Sequence, residues 1–503
     1  MNKVVIGIDA GTTAVKAVAF SLEGEILETA HGKVPIDYGR HGEAEQDMDA
    51  IWDAVADCLT TVTGALGEAT IVGVGVTGQG DGAWLLDTDG RPLRQAALWL
   101  DGRAGDRVTA WQEDGRADYL LNTTGAGLFP GLAPVLLEEY EEQAPGFLKK
   151  VATIFYCKDW VRFKLTGQIA TDYTEASRNF LDIRQGKLDP AIAERVGLSD
   201  VMGALPELLE ASAVGGQVTA AAAARTGLPE GIPVSVGMID VSVTGPGLGA
   251  VNDGDSWLIL GTTGFIGTLR PSIDDRTSMN SMVLANAQNQ VLESFAPMTG
   301  TPNLDWIRTT LKLEDWSQAE AEARSVRPGS AGVVYLPYAS PGGERAPFLD
   351  PAASASWLGM SISTTPAEIL RSVYEGVSFS LVECVEALQL EGELVVSGGG
   401  FRSDLICEIV ADTTGKTVVR QEAPEAGARG AATLALVASG EAVDVKAAAS
   451  MMVTSTSPFE PNPNNYAIYR QAFDVFTSSR DAIRPVWPAM RSLRAQSTQE
   501  DDK

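Results

Sequence analysis

Basic residues, histidine and long apolar runs are all scarce in this chain of 503 residues. The 38 lysines and arginines are outnumbered by 66 aspartates and glutamates, and the net charge of −28 argues against nucleic acid or an anionic membrane surface as a partner. His31 and His41 are the only histidines, and they lack metal-binding spacing, which argues against a histidine-based metal site and a Ser-His-Asp triad. No apolar run approaches the roughly 20 residues that span a bilayer.

Cysteine is rare as well. The four cysteines are widely spaced and form no Cys-x-x-Cys pair, which predicts reduced, mostly buried thiols at Cys58, Cys157, Cys384 and Cys407. The N-terminus enters an apolar, strand-like segment without the basic region or cleavage site of a secretion signal. We therefore expect a cytoplasmic protein, and its length predicts two large domains or one duplicated domain.

Strand and helix patterns alternate along the chain, which favours an α/β fold with mixed sheets. Three successive strands are predicted from VVIGIDAG, AVKAVAF and EILETAHGKV, and apolar residues at helical spacing predict a helix over 48–66. Further strands are predicted over 71–78 and 234–238, and the second leads to Asp240. Glycines within 245–249 predict a hinge between two halves of the chain.

The second half of the chain restarts the pattern of the first half. IGIDAGTTAVKAVAF and LILGTTGFIGTLR both read as strand, Gly-Thr-Thr turn and strand, and the turn glycines Gly11 and Gly261 are 250 positions apart. One such turn is an ordinary hairpin, but a pair that opens both halves predicts two similar domains, each contributing a turn to one phosphate site.

The first of these turns has the chemistry that a phosphate site needs. Glycine lets the backbone turn tightly and expose N–H groups, and the hydroxyls of Thr12 and Thr13 add small donors. Asp9, at the end of the strand before the turn, is placed to hold Mg²⁺, usually through water. Lys16 could reach a phosphate as a point charge.

Three other glycine-bearing segments are weaker indications. Gly73 to Gly78 spells G-x-G-x-x-G, but a turn and a strand follow where a dinucleotide site needs a helix, which argues against an NAD-linked oxidoreductase. Gly415-Lys416-Thr417 resembles the end of a P-loop, yet Val410 stands where that loop needs glycine. By composition alone, PYASPGGERAP is compatible with any surface crossover.

Seven collinear segments carry a family resemblance: IGIDAGTTAVKAVAF, TGQGDGAWLLD, ALWLDGRA, VGMIDVSVTGPGLGAV, LILGTTG, YLPYASPGGERAPFLDPAASASWLGM and SGGGFRSDLICEIVADTTG. Over essentially its whole length the chain resembles the FGGY carbohydrate kinases of the actin/hexokinase/Hsp70 ATPase superfamily. The resemblance implies two duplicated ribonuclease-H-like domains flanking a cleft, over residues 1–247 and 248–485, with a tail at 486–503. It also implies ATP-dependent phosphorylation of a small polyol or sugar, with Mg²⁺.

The resemblance assigns roles by position. Asp240 matches the catalytic aspartate, which accepts the proton of the attacking hydroxyl; a plain helix cap is its structural alternative. The nucleotide roles fall on Asp9, Gly11, Thr12, Thr13 and Lys16 for the first phosphate motif, on Gly261, Thr262 and Thr263 for the second, on Gly398, Gly399 and Gly400 for the adenosine loop, and on Asp404 near the purine.

Substrate choice is predicted in the first domain, at Gln79, Gly80, Asp81, Trp99, Asp101 and Arg103, with Phe129 lining the pocket. Carboxylate and amide oxygens accept hydrogen bonds from sugar hydroxyls, and tryptophan offers a flat apolar face to the carbon chain. The alternative for Trp99 is that it packs in the hydrophobic core. Glycerol kinases carry Gln-Arg-Glu at this turn. The Gly80 and Asp81 replacements predict an emptier wall and a substrate longer than glycerol. The turn looks most like that of erythritol kinases, with L-xylulose-type kinases next; the Met-His pair of many pentulose kinases is absent.

Closure of the two domains around both substrates would exclude water and limit ATP hydrolysis. The segment PYASPGGERAPFLD is predicted as the moving or interdomain element, with a local salt bridge between Glu344 and Arg345. A non-kinase ATPase or chaperone of the superfamily is a further alternative, and the cluster of Gln79, Asp81 and Trp99 argues against it. The oligomeric state is left open, a homodimer included.

Overall fold

The computed structural model describes residues 2–287, 289–421, 424–453 and 456–501. The strands are β1 (Lys3–Ala10), β2 (Ala14–Ser21), β3 (Ile26–Lys33), β4 (Asp37–Tyr38), β5 (Ala44–Gln46), β6 (Thr70–Gly78), β7 (Trp84–Leu86), β8 (Ala96–Ala97), β9 (Thr153–Phe155), β10 (Ala170–Asp172), β11 (Leu181–Asp182), β12 (Lys187–Leu188), β13 (Glu207–Leu209), β14 (Val214–Gln217), β15 (Pro233–Ser235), β16 (Met238–Ile239), β17 (Ser256–Leu260), β18 (Gly264–Arg270), β19 (Met282–Ala287), β20 (Gln290–Phe295), β21 (Val334–Leu336), β22 (Ser356–Leu358), β23 (Leu394–Ser397), β24 (Val418–Gln421) and β25 (Thr456–Phe459).

The α-helices are α1 (Met48–Ala65), α2 (Gly105–Glu113), α3 (Arg116–Thr124), α4 (Ala133–Gln143), α5 (Cys157–Thr166), α6 (Tyr173–Ala176), α7 (Pro190–Arg195), α8 (Ala220–Thr226), α9 (Asp240–Gly247), α10 (Pro302–Thr310), α11 (Trp316–Arg324), α12 (Pro366–Ala387), α13 (Asp404–Thr414), α14 (Ala426–Ala438), α15 (Val445–Met452), α16 (Pro463–Ile483) and α17 (Trp487–Asp501). The α/β class predicted from the sequence is confirmed. Among the helices of the described ranges, none is long and apolar enough to span a lipid bilayer.

The sheet of the first half has the strand order β14-β15-β6-β1-β2-β3, with β16 also beside β6. The predicted meander β1-β2-β3 is antiparallel, and β6 joins β1 in parallel. Helix α1 begins where the Asp47 carboxylate accepts the N–H groups of Asp49 and Ala50. Its apolar face, which includes Ile51 and Val55, packs against β2 and β3. These strands and this helix were predicted correctly from local patterns.

The sheet of the second half repeats the arrangement around its own turn. Its order is β19-β20-β18-β17-β23-β24-β25, in which β17 and β18 form an antiparallel hairpin and β23 pairs with β17 in parallel. Each Gly-Thr-Thr turn therefore joins two antiparallel strands, with a parallel neighbour alongside the first of them. The duplication read from the sequence is present in the topology.

The strand predicted over 234–238 is broken in the structure. Gly237 has a φ of +86°, and a side chain there would overlap the backbone carbonyl of Val76. The break separates β15 from β16, so that β16 continues along the end of β6 and delivers Asp240 to the start of α9.

Two of the three glycines within the predicted hinge at 245–249 are instead part of a helix, and Gly249 follows that helix with a φ of +85°. Gly245 and Gly247 lie in the last turn of α9, and a side chain on Gly247 would overlap the carbonyl of Ala426 in α14. The absence of a side chain at Gly247 permits close contact between helices from the two halves of the chain, whereas Gly245 packs against Ala250 and Trp257.

Helix α14 belongs to the second half by sequence, yet it packs on β1 and β6 of the first sheet. Side chains on Gly7 and Gly75 would overlap the carbonyls of Ala428 and Ala431. The G-x-G pattern of β6 is therefore explained by helix packing. Arg429 of α14 also donates 2.7 Å bonds to the carbonyls of Gly24 and Met452.

The segment predicted to move is anchored in the structure. The Glu344 carboxylate accepts the backbone N–H groups of Met298, Thr299 and Arg345. The guanidinium of Arg345 donates to the carbonyl of Ala296 instead, so the predicted salt bridge between the two side chains is wrong.

The predicted tail at 486–503 begins inside the core of the second half. Trp487 is fully buried and packs against the rings of Tyr338 and Phe348, and the rest of the described tail continues as α17. Its last two residues, 502 and 503, lie outside the described residues.

Candidate active site

Residues from both halves line one cavity of about 590 Å³ at the ends of β1 and β23. Asp9 and Lys16 come from the first half, and Gly398, Gly399 and Glu425 from the second. Four of the positions predicted around the phosphates and the adenosine loop thus line the same cavity, although the two pairs are nearly 400 residues apart in the sequence.

The two Gly-Thr-Thr turns are held by different contacts. Thr12 and Gly11 are partly exposed and Thr13 is exposed, and the Thr13 carbonyl accepts the N–H of Val34. In the second turn Thr262 is exposed and Thr263 is partly exposed, and the Gly261 carbonyl accepts the N–H of Thr301 at 2.8 Å. Both turns therefore leave threonine side chains at least partly exposed, and a backbone hydrogen bond to a neighbouring segment holds each turn.

Two carboxylates, Asp9 and Asp240, lie close enough that the charge of Asp9 affects Asp240. Burial raises the pKa of Asp9 to about 6, with Lys16 opposing and Glu425 adding to the rise. Burial, reinforced by the charges of Asp9 and Asp81, raises the pKa of Asp240 to about 7. Asp240 is the first residue of α9 and follows the cap position, where its Oδ1 accepts only the neighbouring N–H of Val241. This geometry does not favour a capping role.

Lys16 makes an ion pair instead of pointing freely into the cavity. Its Nζ lies 2.7 Å from Oε2 of Glu425, the residue that precedes α14. Both side chains are partly exposed and line the same cavity. A phosphate group in this cavity would compete with Glu425 for the Lys16 ammonium.

A second cavity, of about 690 Å³, adjoins the first through Gly399 and Arg402. Gly400 and Asp404 line it together with Trp316 and Tyr374, which the sequence analysis did not single out. Asp404 begins α13 and pairs with Arg420 at 2.6 Å. The joined cavities form a groove with the glycine loop at its centre, and no local pattern in the sequence marked the two aromatic residues.

The turn after β6 is tighter than the sequence analysis assumed. Asp81 and Gly82 both have positive φ, and the chain continues into strand β7 without a helix, so a dinucleotide fingerprint is absent here. A side chain on Gly80 would overlap the side chain of Ile239. The predicted emptier wall is therefore wrong, because Ile239 fills the space beside Gly80.

Asp81 has a cationic partner that the sequence analysis missed. The Nε of Arg178 donates to Oδ1 of Asp81 at 2.7 Å, and the guanidinium lies 5.9 Å from the ring centre of Phe129. The structure thus brings Asp81 and Phe129 together through Arg178. The arginine lies 97 residues beyond Asp81, and nothing local to either position announces the pair.

Trp99, a predicted substrate residue, contacts the first Gly-Thr-Thr turn. Its indole Nε1 donates to the hydroxyl of Thr12 at 3.0 Å, and the residue is 39% exposed, so it is not simply packed in the core.

Asp101 and Arg103 do not offer free groups to a substrate. The buried Asp101 carboxylate accepts the N–H of Ala44 at 2.9 Å and the Nη2 of Arg103 at 2.7 Å. Arg103 also pairs with Glu45 at 2.6 Å, and these bonds raise its pKa against the opposing effect of burial. The prediction of Asp101 as a substrate ligand is therefore wrong; the pair braces the loop that carries Trp99.

The site fits a hard divalent cation bound through few protein oxygens. Asp9 faces the cavity, and a side chain on Gly427 would come within 2.7 Å of its Oδ2. Among the described residues there is no group of three or more His, Cys, Asp or Glu side chains that could hold a metal ion. Mg²⁺ is typically held by one or two carboxylates together with substrate phosphates, and the residues present suit that pattern.

Known families and structures match the chain over nearly its full length. The N-terminal and C-terminal domains of the FGGY family of carbohydrate kinases match residues 4–247 and 257–439. An erythritol kinase of Brucella abortus is 31% identical over 97% of this chain and 98% of its own. A probable L-xylulose kinase of Pasteurella multocida is 30% identical, over 95% and 99%.

A solved structure of similar shape supports the same assignment. The xylulose kinase from Rhodospirillum rubrum has a TM-score of 0.87 at 26% identity, over 96% of this chain and 99% of that one. The two-domain α/β fold with mixed sheets is thereby confirmed. With both family domains matched, and with full-length relatives that are named as kinases, the chain belongs to the FGGY family of carbohydrate kinases.

Proposed function

We propose that the protein transfers the γ-phosphoryl group of ATP to a terminal hydroxyl of a small polyol, with erythritol as the first candidate. One observation carries the proposal: the ends of β1, β6 and β16 lie side by side in one sheet, so that Asp9, the turn that follows Gly78 and Asp240 meet at the same edge. Asp9 stands at the proposed nucleotide end of the site. Asp81 stands in the turn formed by Gln79, Gly80 and Asp81, which we call the polyol turn. A proton acceptor near both groups is where a hydroxyl must meet a phosphoryl group.

In the proposed reaction, ionised Asp240 accepts the proton of the attacking hydroxyl. The bond between that oxygen and the γ-phosphorus forms while the bond from the γ-phosphorus to the bridging oxygen breaks, and ADP leaves. Lys16 and the N–H and hydroxyl groups of the two turns stabilise charge on the phosphate oxygens. Asp9 would hold Mg²⁺, which supplies further neutralisation of phosphate charge.

The substrate side supports a ligand with several hydroxyls. Asp81 offers acceptors, Arg178 offers donors, and Trp99 offers a half-exposed apolar face. The Gln-Gly-Asp-Gly turn and the similarity to the Brucella erythritol kinase favour erythritol. The similarity to the Pasteurella protein is almost as high, so L-xylulose or another pentulose is the alternative substrate.

The test is ADP release measured by a coupled assay over a panel of compounds. The panel contains glycerol, erythritol, xylitol and both enantiomers of xylulose and ribulose. Erythritol is expected to give the highest kcat/KM, by about tenfold or more over the other compounds. A preference for a pentulose would replace erythritol by the alternative. ADP release that no polyol or sugar stimulates would contradict the proposal itself.

A further inference from the structure

Gln46 lies between the first phosphate turn and the polyol turn without belonging to either. It ends β5, and its side chain is fully buried. Its Nε2 donates to the backbone carbonyl of Thr12 at 2.7 Å, and its Oε1 accepts the Nε2 of Gln79, also at 2.7 Å. One amide group therefore bridges the predicted phosphate and substrate residues.

The Gln79 end of this bridge is rigid. Its side chain is 1% exposed, and its backbone N–H donates to the carbonyl of Ala10 at 3.0 Å. The polyol turn is therefore tied to β1 by its backbone and to the phosphate turn by Gln46. A shift of Gln79 must move Gln46 or break a buried hydrogen bond, and a buried polar group without a partner is costly.

Thr12 is the point where two connections meet. Gln46 holds its carbonyl, and Trp99 holds its hydroxyl at 3.0 Å. The Trp99 ring is half-exposed and belongs to the proposed polyol site, whereas Gln46 is sealed from solvent. An amide side chain supplies a donor and an acceptor on two separate atoms without carrying a charge.

We infer that Gln46 is a positioning residue that couples polyol binding at Gln79 to the conformation of the Thr12 phosphate turn. It touches neither substrate, and its effect is on how strongly one substrate favours the binding of the other. The inference rests on the proposed function. With such coupling, the phosphate turn would adopt its binding conformation only when a polyol is bound. Hydrolysis of ATP in the absence of the polyol would therefore be limited.

The experiment measures the dissociation constant of a non-hydrolysable ATP analogue with Mg²⁺, with and without erythritol, by calorimetry. If the panel selects another substrate, that compound replaces erythritol. In the wild-type protein the polyol is expected to tighten analogue binding by roughly tenfold, within the usual range for coupled ligands. In Gln46→Met the tightening is expected to fall below about twofold, and hydrolysis of ATP without polyol is expected to rise.

Two further variants separate coupling from simple damage. Gln46→Glu keeps the acceptor toward Gln79 but removes the donor toward the Thr12 carbonyl, so the coupling should be lost in this variant as well. This variant replaces Gln46→Met in the test if the methionine variant does not fold. Gln95→Met removes a glutamine whose side chain bonds to Asp37 at 3.1 Å near the surface, and it should keep the wild-type coupling.

The outcomes distinguish the inference from the proposed function. A folded Gln46 variant with wild-type tightening overturns the inference. The inference is also overturned if the wild-type protein phosphorylates the polyol but binds the ATP analogue no more tightly in its presence. In that case the proposed function stands. A protein that phosphorylates no compound of the panel fails the proposed function first, and the inference fails with it.

Discussion

The side chain of Ile239 occupies the position that a Cβ on Gly80 would take. The backbone of the polyol turn is therefore in direct contact with the residue that precedes Asp240. Because Ile239 is buried, this contact fixes the distance between the polyol turn and the start of α9. The glycine serves close packing, and the space that an arginine would fill in a glycerol kinase is closed.

This contact predicts that Gly80→Ala destabilises the fold by about 1–3 kcal/mol, because the added methyl overpacks a filled site. The KM for the polyol should rise in the same variant. Ile239→Ala alone should also destabilise, since it leaves a cavity. The double variant should be more stable than the sum of the two effects predicts, by about 1 kcal/mol or more, in urea unfolding. Strict additivity would show that the two residues do not share this space.

Asp240→Asn is predicted to lower kcat by about 10²- to 10⁴-fold, because asparagine cannot accept the hydroxyl proton. Binding of the ATP analogue should be nearly unchanged, as measured by calorimetry. The matched control is Asp404→Asn, which alters a carboxylate of the second cavity and should change the KM for ATP with little effect on kcat. Wild-type turnover in Asp240→Asn would remove Asp240 from its proposed role.

The raised pKa of Asp240 predicts opposite effects of pH on activity and on stability. Activity needs the ionised carboxylate and should fall as the pH drops below about 7. Stability behaves in the other sense: between 3.8 and about 7 the folded protein keeps a proton that the unfolded chain releases. Protonated Asp240 thus contributes fully to the stability of the fold below the pKa that this residue has in the unfolded chain. The contribution is lost as the pH rises through the pKa of Asp240 in the folded protein.

Asp240→Asn should therefore gain stability relative to the wild-type protein between pH 4 and pH 8. Urea unfolding of both proteins at the two ends of this range measures the difference. An unchanged difference would mean that Asp240 titrates normally in the folded protein.

Two neighbouring glycines should respond differently to alanine. A Cβ on Gly399 would meet no atom within 4 Å, whereas a Cβ on Gly400 would overlap Leu260. Gly399→Ala should keep wild-type stability and raise the KM for ATP by about tenfold, or ~1.4 kcal/mol, because the methyl projects into the proposed nucleotide groove. Gly400→Ala should lose about 1–3 kcal/mol of stability. If Gly399→Ala leaves the KM unchanged, the adenosine loop does not lie against the nucleotide.

Arg178→Lys is predicted to raise the KM for the polyol about tenfold, since lysine keeps the charge but loses the planar donor that orients Asp81. The control is Arg184→Lys, which alters an exposed arginine paired with Asp274 at 3.0 Å and should leave the kinetics unchanged. Steady-state kinetics on the panel's best substrate measure both variants. Equal kinetics in the two variants would exclude Arg178 from substrate selection.

The parts of the molecule that sequence analysis predicted are those governed by neighbours in the chain. Strands β1 to β3, helix α1 and the two Gly-Thr-Thr turns follow from apolar periodicity and turn chemistry within a few residues. Asp9 and Gly399 were assigned to one nucleotide site only because of the family resemblance. The structure brings them to a common cavity.

The parts that could not be predicted depend on contacts between distant segments. Arg178 reaches Asp81 from a later part of the chain, and Ile239 reaches Gly80 from strand β16, which is distant in sequence but pairs with β6. Asp101 was assigned to the substrate because a carboxylate can accept hydrogen bonds from sugar hydroxyls. Only the fold shows that Ala44 and Arg103 already occupy its carboxylate.

Helix α14 has a consequence for how this protein can be divided. A fragment ending at residue 247 would leave bare the apolar face made by Val5, Val18 and Phe20, which the helix covers in the whole chain. The two halves are thus not separable modules for expression, fusion or exchange with relatives. A chimaera must carry α14 together with strands β1 and β2 beneath it, even though about 400 residues of sequence lie between β2 and the helix.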